Sequence, residues 1–322
     1  MKVLITGGAG FIGSHLAERL LSEGHEVKVL DDLSTGLESN LQIPRQHGER
    51  FGFTEGSVLD PAAVEPLVAE ADVVFHLAAA VGVHLILEQP SKSILTNVAG
   101  TERVLEACLK DNTRVFIAST SEVYGKARKF PQNELDDLTI GATANIRWSY
   151  ACAKMLDEFL ALAFVQEHGL PATILRFFNT TGPRQTSRYG MVIPSFVDAA
   201  LAGKPLKVHG TGEQSRCFCH VADVIESLVR LMNGPETKGE VYNIGTDQEV
   251  SIGDLAAKVV ELTSSSSVIE QVPYEKAYGA GFEDMQRRRP DISKLQAAIG
   301  YRPTTLLDTI ITDLIAERQN RD

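Results

Sequence analysis

The chain has 322 residues, of which 43% are hydrophobic and 23% charged, a balance that suits one large globular domain or two intimate ones. A net charge of −11 argues against a general surface for nucleic acid or anionic membrane, yet a few local arginines can still hold an anionic ligand. The four cysteines, Cys108, Cys152, Cys217 and Cys219, are no disulfide framework in a chain of this length.

Residues 2–6 read as a buried strand. Residues 11–22 follow with helical spacing at Ile12, Leu16 and Leu20, and Gly24 is a stop signal. No basic segment precedes a signal-length apolar run and no stretch approaches a membrane span, so a reducing cytoplasm is the expectation. Residues 27–30, 73–77, 115–119 and 172–177 are further short apolar runs, with helices predicted near 62–69, 90–110 and 150–168. Strands alternating with helices predict an α/β fold, a doubly wound parallel sheet covered on both faces. After Asn179 the rhythm changes. Helices are predicted at 192–202, 221–232, 252–262 and 306–317, with strands at 206–208 and 241–244. Residues 275–289 are polar, carry Gly279 and Gly281, and read as a long loop of the kind that is often functional. Cys217, Cys219 and His220 cluster, but no second cluster completes a tetrahedral metal site, so buried thiols and no metal are expected.

Between the first strand and the first helix, Gly7, Gly10 and Gly13 are spaced as G-x-x-G-x-x-G. Small residues there let the backbone turn tightly and approach a pyrophosphate, which the helix N-terminus then favours. Asp31 ends the second strand, where an acidic residue binds the adenosine ribose hydroxyls and repels a 2′-phosphate. NAD is therefore expected over NADP. Asp32 either joins Asp31 or merely caps a turn.

Tyr150 and Lys154 stand as Tyr-x-x-x-Lys on a predicted helix, and this spacing places them on one face. A nearby ammonium lowers a phenol pKa, so the expectation is that Tyr150 acts as a general base. Thr120 lies at a strand end, where open α/β sheets gather ligands, and its hydroxyl can share the transferred proton.

The chain resembles the extended short-chain dehydrogenases/reductases, in the branch acting on nucleotide sugars. The markers are GGAGFIG at 7–13, LDDLSTG at 30–36, HLAA at 76–79, STSEVYG at 119–125, YACAK at 150–154, RFFNTTGPR at 176–184, RCFCHVADV at 216–224 and RRRPD at 287–291. The resemblance implies a Rossmann-type cofactor domain (1–178 with 217–248) interleaved with a smaller C-terminal substrate domain (179–216 with 249–322). It implies Thr120, Tyr150 and Lys154 as the catalytic trio, with Lys154 also on the nicotinamide ribose. Phe11, Ile12, Thr35, Gly36, Leu77, Ala78, Ala79 and Phe177 would join the glycines and Asp31 around NAD, with Val58 near the adenine. Many relatives carry an acidic residue where Ser57 stands. Ser121, Arg147, Asn179, Val192, Lys207, Val208, Arg216 and Arg288 would surround a nucleotide-diphosphate sugar, with uridine as the base. Arg216 and Arg288 suit diphosphate through their fixed donor forks. Of Arg287, Arg288 and Arg289, at least one is expected to be only solvated. The apolar faces of helices 90–110 and 150–168 are expected to pack on the sheet, and the resemblance implies that their outer sides pair with a second subunit in a homodimer.

The shared first step of the branch is oxidation at C4 to a 4-keto sugar. A 4,6-dehydratase needs an acid next to the catalytic Thr, and Ser121-Glu122 stands there instead. That pair, with Arg147-Trp148, resembles UDP-glucuronate decarboxylases, and Glu122 is then placed to assist chemistry near C5. Those decarboxylases carry a Tyr where Ile86 stands, and LDDLSTG with HLAAAVGV is equally at home among UDP-sugar 4-epimerases. The sequence reading therefore puts a UDP-sugar 4-epimerase first and a UDP-glucuronate decarboxylase second. A non-catalytic NAD-sensing protein is a distant third, since it has no need of the trio.

Overall fold

The computed structural model describes residues 1–81, 88–187, 191–234, 236–278 and 284–320, and Ile86, Gly279 and Gly281 lie outside them. The strands in chain order are β1 (Lys2–Thr6), β2 (Glu26–Asp31), β3 (Phe51–Glu55), β4 (Val73–His76), β5 (Arg114–Thr120), β6 (Ala172–Phe177) and β7 (Thr180–Thr181). Then follow β8 (Leu206–His209), β9 (Ser215–Cys217), β10 (Cys219–His220), β11 (Val241–Ile244), β12 (Glu249–Ser251), β13 (Ile269–Val272) and β14 (Arg287–Arg288). Seven of them form one parallel sheet in the order β11-β6-β5-β4-β1-β2-β3. The chain leaves β1 toward β2 on one side and returns to β4 on the other. A crevice opens at that reversal, outside the carboxyl ends of β1 and β4, and ligands bind there in sheets of this kind.

Helix packing on the two faces follows the apolar pattern. Phe11–Ser22 and Val221–Asn233 bury Leu16, Leu20, Val224 and Leu228 against Phe75 and Phe116 on one face. Pro90–Asp111 and Trp148–His168 bury Val104, Leu105 and Ala161 against Leu4, Val74 and Ile117 on the other. The Pro90–Asp111 helix stops where Asn112 turns left-handed at φ 52°, and Trp148–His168 stops at Gly169 at φ 76°. A separate core joins Val192–Leu201, Ile252–Leu262 and Leu307–Gln319 through Phe196, Leu255 and Ile310.

The edge strand β3 was not expected. Phe51, Gly52, Phe53 and Thr54 are only half-buried, so no solid apolar run marks it. The segment expected as one long loop instead holds a short helix, Tyr274–Tyr278, and β14, which pairs with β9. Among the described residues no helix is long and apolar enough to cross a membrane, and no group of three or more His, Cys, Asp or Glu gathers as for a metal ion. Cys217 and Cys219 are buried, and burial pushes the Cys217 thiol up to about 12.

Candidate active site

Gly7 opens the turn after β1 with φ 73°, and a Cβ there would lie 2.7 Å from the Ala78 nitrogen. That approach brings β1 and the end of β4 together at the crevice. Gly10 is the N-cap of Phe11–Ser22 and has no side chain to cap it, so the first-turn amides are left for an anion. The buried Asp31 carboxylate accepts from the Ala9 and Leu33 amides, both at 2.9 Å. Burial raises its pKa, and those two amides pull it back. Asp32 is exposed and accepts from the Ser34 amide at 3.0 Å, so it caps the turn. Gly36 lies against Ala9 and Asp31 with Thr35 half-buried beside it, closing this loop over the glycine turn. Leu77, Ala78 and Ala79 are half-buried beyond β4, and Val58 packs on Gly100. Phe177 ends β6 opposite Thr120, and Phe11 and Ile12 are half-buried at the helix start. A glycine cradle, an uncapped helix start and a carboxylate at the end of β2 fit a dinucleotide.

Thr120 is the last residue of β5, and its hydroxyl accepts from the Glu122 amide at 3.2 Å and bonds the Tyr150 hydroxyl. Tyr150 and Lys154 are both buried on the helix beside it. The expectation of a lowered Tyr150 pKa is corrected here. Burial pushes the phenol up, the Glu122 carboxylate adds to that rise, and the Thr120 bond opposes it. The Lys154 ammonium is instead paired with Asp157 at 2.6 Å.

Next to Thr120 lies a knot of charge. Arg147 Nη1 meets Glu122 Oε2 at 2.5 Å, and Arg288 Nη2 meets Glu122 Oε1 at 2.7 Å. Arg147 stacks over Trp148, 5.0 Å from the ring centroid, and its Nη2 reaches Asp284 at 3.1 Å. Arg216 Nη2 holds the other Asp284 oxygen at 3.0 Å. Burial works to raise the Glu122 pKa, but Arg288 and Arg147 overcome it and hold the carboxyl down at about 2. Burial and the neighbouring Arg288 lower the Arg216 guanidinium to about 10. Arg288 Nη1 donates to Ser121 Oγ at 3.2 Å and to Asn179 Oδ1 at 3.4 Å. Its buried Nε has no hydrogen-bond partner among the described residues, a donor left over for a ligand. Asn179 is held at φ 34° and donates to the Cys217 carbonyl at 2.9 Å.

The remaining expected substrate residues sit in the smaller core. Val192 is half-buried at its helix start, the Lys207 side chain is exposed on β8, and the Val208 side chain is packed into the core, which leaves only its backbone for a ligand. Arg287 is half-buried, with its side chain 42% exposed and paired with Glu249 at 2.7 Å. Sequence reasoning missed Asp157 and Asp284. Asp157 stands three residues after Lys154 on a helix, a spacing that announces a shared face, whereas nothing local marks Asp284.

The sequence profile described as the NAD dependent epimerase/dehydratase family matches residues 3–245. A UDP-N-acetyl-alpha-D-glucosaminuronate decarboxylase of Bacillus cytotoxicus is 45% identical over 306 residues, covering 94% of this chain and 92% of the relative. UDP-glucuronic acid decarboxylase 1 of Danio rerio is 35% identical over 95% of this chain and 70% of its own. The solved UDP-glucuronic acid 4-epimerase of Bacillus cereus, in complex with UDP-glucuronic acid and NAD, superposes with a TM-score of 0.88 at 27% identity over 100% of each chain.

Proposed function

The chain belongs to the NAD dependent epimerase/dehydratase family, and on that premise we propose that it decarboxylates a UDP-linked hexuronic acid through a 4-keto intermediate. It is an NAD-dependent enzyme that modifies nucleotide sugars. The order of the two reactions read from sequence is reversed. The 45% identity to a decarboxylase, nearly end to end, favours the second reading over the 4-epimerase. The observation that carries the proposal is Glu122, ionised and clasped between Arg147 and Arg288 beside Tyr150. Two guanidiniums fixed at one wall suit a sugar that brings its own carboxylate.

In this reading Gly7, Gly10, Gly13 and Asp31 hold the cofactor in the seven-stranded lobe, and the smaller lobe supplies the nucleotide-sugar contacts. NAD, when bound, would supply the acceptor for the hydride of sugar C4. Tyr150 takes the C4 hydroxyl proton, with Thr120 bonded to the phenol oxygen. The resulting 4-keto acid loses carbon dioxide as the C5–C6 bond breaks and its electron pair moves toward the keto oxygen. Tyr150, now protonated, donates to that oxygen; C5 then takes a proton from solvent as the enol proton returns to Tyr150, which gives the 4-keto pentose, and return of the hydride to C4 with the Tyr150 proton would give the pentose. Arg288 orients the departing carboxylate through the donor that Ser121, Asn179 and Glu122 leave free. Glu122 has no proton to give at neutral pH, so its role is to hold Arg147 and Arg288 and not to act as an acid.

The test is incubation of the NAD-loaded enzyme with UDP-glucuronate, UDP-N-acetylglucosaminuronate and UDP-glucose in separate tubes, followed by NMR and trapping of carbon dioxide. Carbon dioxide with a pentose or 4-keto-pentose product supports the proposal and identifies the substituent at C2. Inversion at C4 with no loss of carbon restores the epimerase. Tyr150→Phe should lower turnover by about 10²-fold or more in either case.

A further inference from the structure

One charged group lies at the centre of the site without a part in the chemistry proposed above. Asp157 is fully buried, and its carboxylate binds the Lys154 ammonium at 2.6 Å while Lys154 itself is 2% exposed. A hydrogen-bonded chain continues behind the pair. The Thr101 hydroxyl bonds Asp157 and also lies 3.2 Å from His76 Nε2. His76 Nδ1 is 2.8 Å from the Thr6 hydroxyl, which accepts from the Ala78 amide at 3.3 Å. The chain thus runs from Lys154 to the ends of β1 and β4, where the glycine turn begins.

A buried ammonium paired with a buried carboxylate contributes little net field at a third group. We propose that Asp157 is the positioning residue for Lys154, fixing the ammonium toward the cofactor side of the site and offsetting part of its charge at the Tyr150 phenol. One of the three ammonium donors is committed to Asp157, so the direction of the other two is set before any ligand arrives. The assignment rests on the reading of Tyr150 as the base.

Two carboxylates, one guanidinium and one hydroxyl act on the phenol most strongly after burial. Glu122 and Asp157 disfavour its ionisation, while Arg288 and the Thr120 bond favour it. His76 adds no second positive charge, because burial, with Lys154 nearby, lowers it to about 3. Burial pushes the Asp157 carboxyl up, and Lys154 and Thr101 pull it back. Removing the Asp157 charge therefore removes one group that disfavours phenol ionisation and leaves the Lys154 ammonium without its counter-ion.

The experiment compares wild type with Asp157→Asn, both as the full chain saturated with NAD. Ultraviolet difference titration, with Tyr150→Phe as the subtraction, reads phenol ionisation without turnover, and the kcat pH profile reads the same group in action. Asp157→Asn should move both curves to lower pH by about one unit, roughly tenfold in the ionisation equilibrium, with KM for the sugar unchanged. Asp157→Glu should return both curves toward wild type. A folded Asp157→Asn whose two curves coincide with wild type overturns the proposal. If Asp157→Asn does not fold, Asp157→Ser, which leaves room for a water beside the ammonium, is put to the same test. If neither neutral variant folds while Asp157→Glu does, the pair is structural and the proposal falls. Unimpaired turnover in Tyr150→Phe would sink the reading of Tyr150 as base instead, and the titration keeps the two failures apart.

Discussion

Arg216 Nη2 donates to Asp284 Oδ2 at 3.0 Å, across 68 residues of chain, and the other oxygen of that carboxylate receives Arg147 Nη2 at 3.1 Å. A side-chain carboxylate thus bridges two guanidiniums that the resemblance implied for the nucleotide sugar. With Glu122 counted, three arginines face two carboxylates, so an entering diphosphate or uronate competes with groups already in place.

Replacing Asp284 with Asn should therefore lower stability without ligand and raise the response to ligand. Two guanidiniums each lose one partner, and an uncompensated buried charge costs about 2 kcal/mol or more after allowance for the partial exposure of Asp284. An added UDP-sugar supplies the missing anion. Thermal melting should show Asp284→Asn below wild type alone, with a larger upward shift than wild type on adding the nucleotide sugar. Equal shifts would mean that Asp284 does not stand where substrate binds.

Glu122 gives a prediction in pH. Its folded pKa of about 2 lies below the ordinary 4.5, so the carboxylate contributes stability above pH 4.5 that is lost as pH falls through about 2. A shift of that size corresponds to roughly 3 kcal/mol. Glu122→Gln should flatten the acid limb of a stability-against-pH curve from chemical denaturation, and should lower kcat by about 10²-fold because Arg147 and Arg288 lose their anchor. An acid limb as steep as wild type would show that the clasp is not formed in solution.

The juxtaposition of Thr120, Tyr150 and Lys154 was legible because each member is announced by local pattern: a strand end and an i, i+4 pair. The glycine turn was legible for the same reason. The sequence favoured Asp31 and left Asp32 open, and it took the Ser34 amide on Asp32 to show that carboxylate capping its own turn. The clasp around Glu122 was only half legible. Arg288 meets Ser121 across 167 residues, and Asp284 meets Arg147 across 137, and no spacing rule covers such distances. The direction of the Tyr150 shift failed for another reason: an i, i+4 spacing says nothing of burial, which raises the phenol, or of Glu122, which adds to that rise.

Arg176 tests the frame that holds β5 and β6 in place behind the site. Its Nη2 and Nε meet the Glu158 carboxylate at 2.7 and 2.9 Å, both residues are 5% exposed, and Ser119 donates to the same carboxylate. Arg176→Met leaves that carboxylate buried and unpaired, which costs about 3–5 kcal/mol. Denaturant melts should show that loss, and the double variant Arg176→Met with Glu158→Gln should recover most of it. A double variant no better than the single one would mean that packing, and not charge, supplies the effect.

The last prediction concerns assembly. On Trp148–His168, Cys152, Leu156 and Phe159 fall at i, i+4 and i+7, one helical face, and all three are exposed, Phe159 by 64%. Leu95 on Pro90–Asp111 is 63% exposed. The inner faces of both helices already pack on the sheet, so these side chains remain for a partner, and a second copy of the chain offers the same two helices in return. The full chain should behave as a dimer in sedimentation at micromolar concentration. Phe159→Glu should place like charges against each other across the two-fold and shift the mass to that of the 35.0 kDa chain. Cys152→Ser should leave the mass of the assembly unchanged, since it removes little apolar area. Because the same helix carries Tyr150 and Lys154, the monomer formed by Phe159→Glu should also turn over more slowly. A wild-type chain that sediments as a monomer would leave Leu156 and Phe159 as ordinary surface residues.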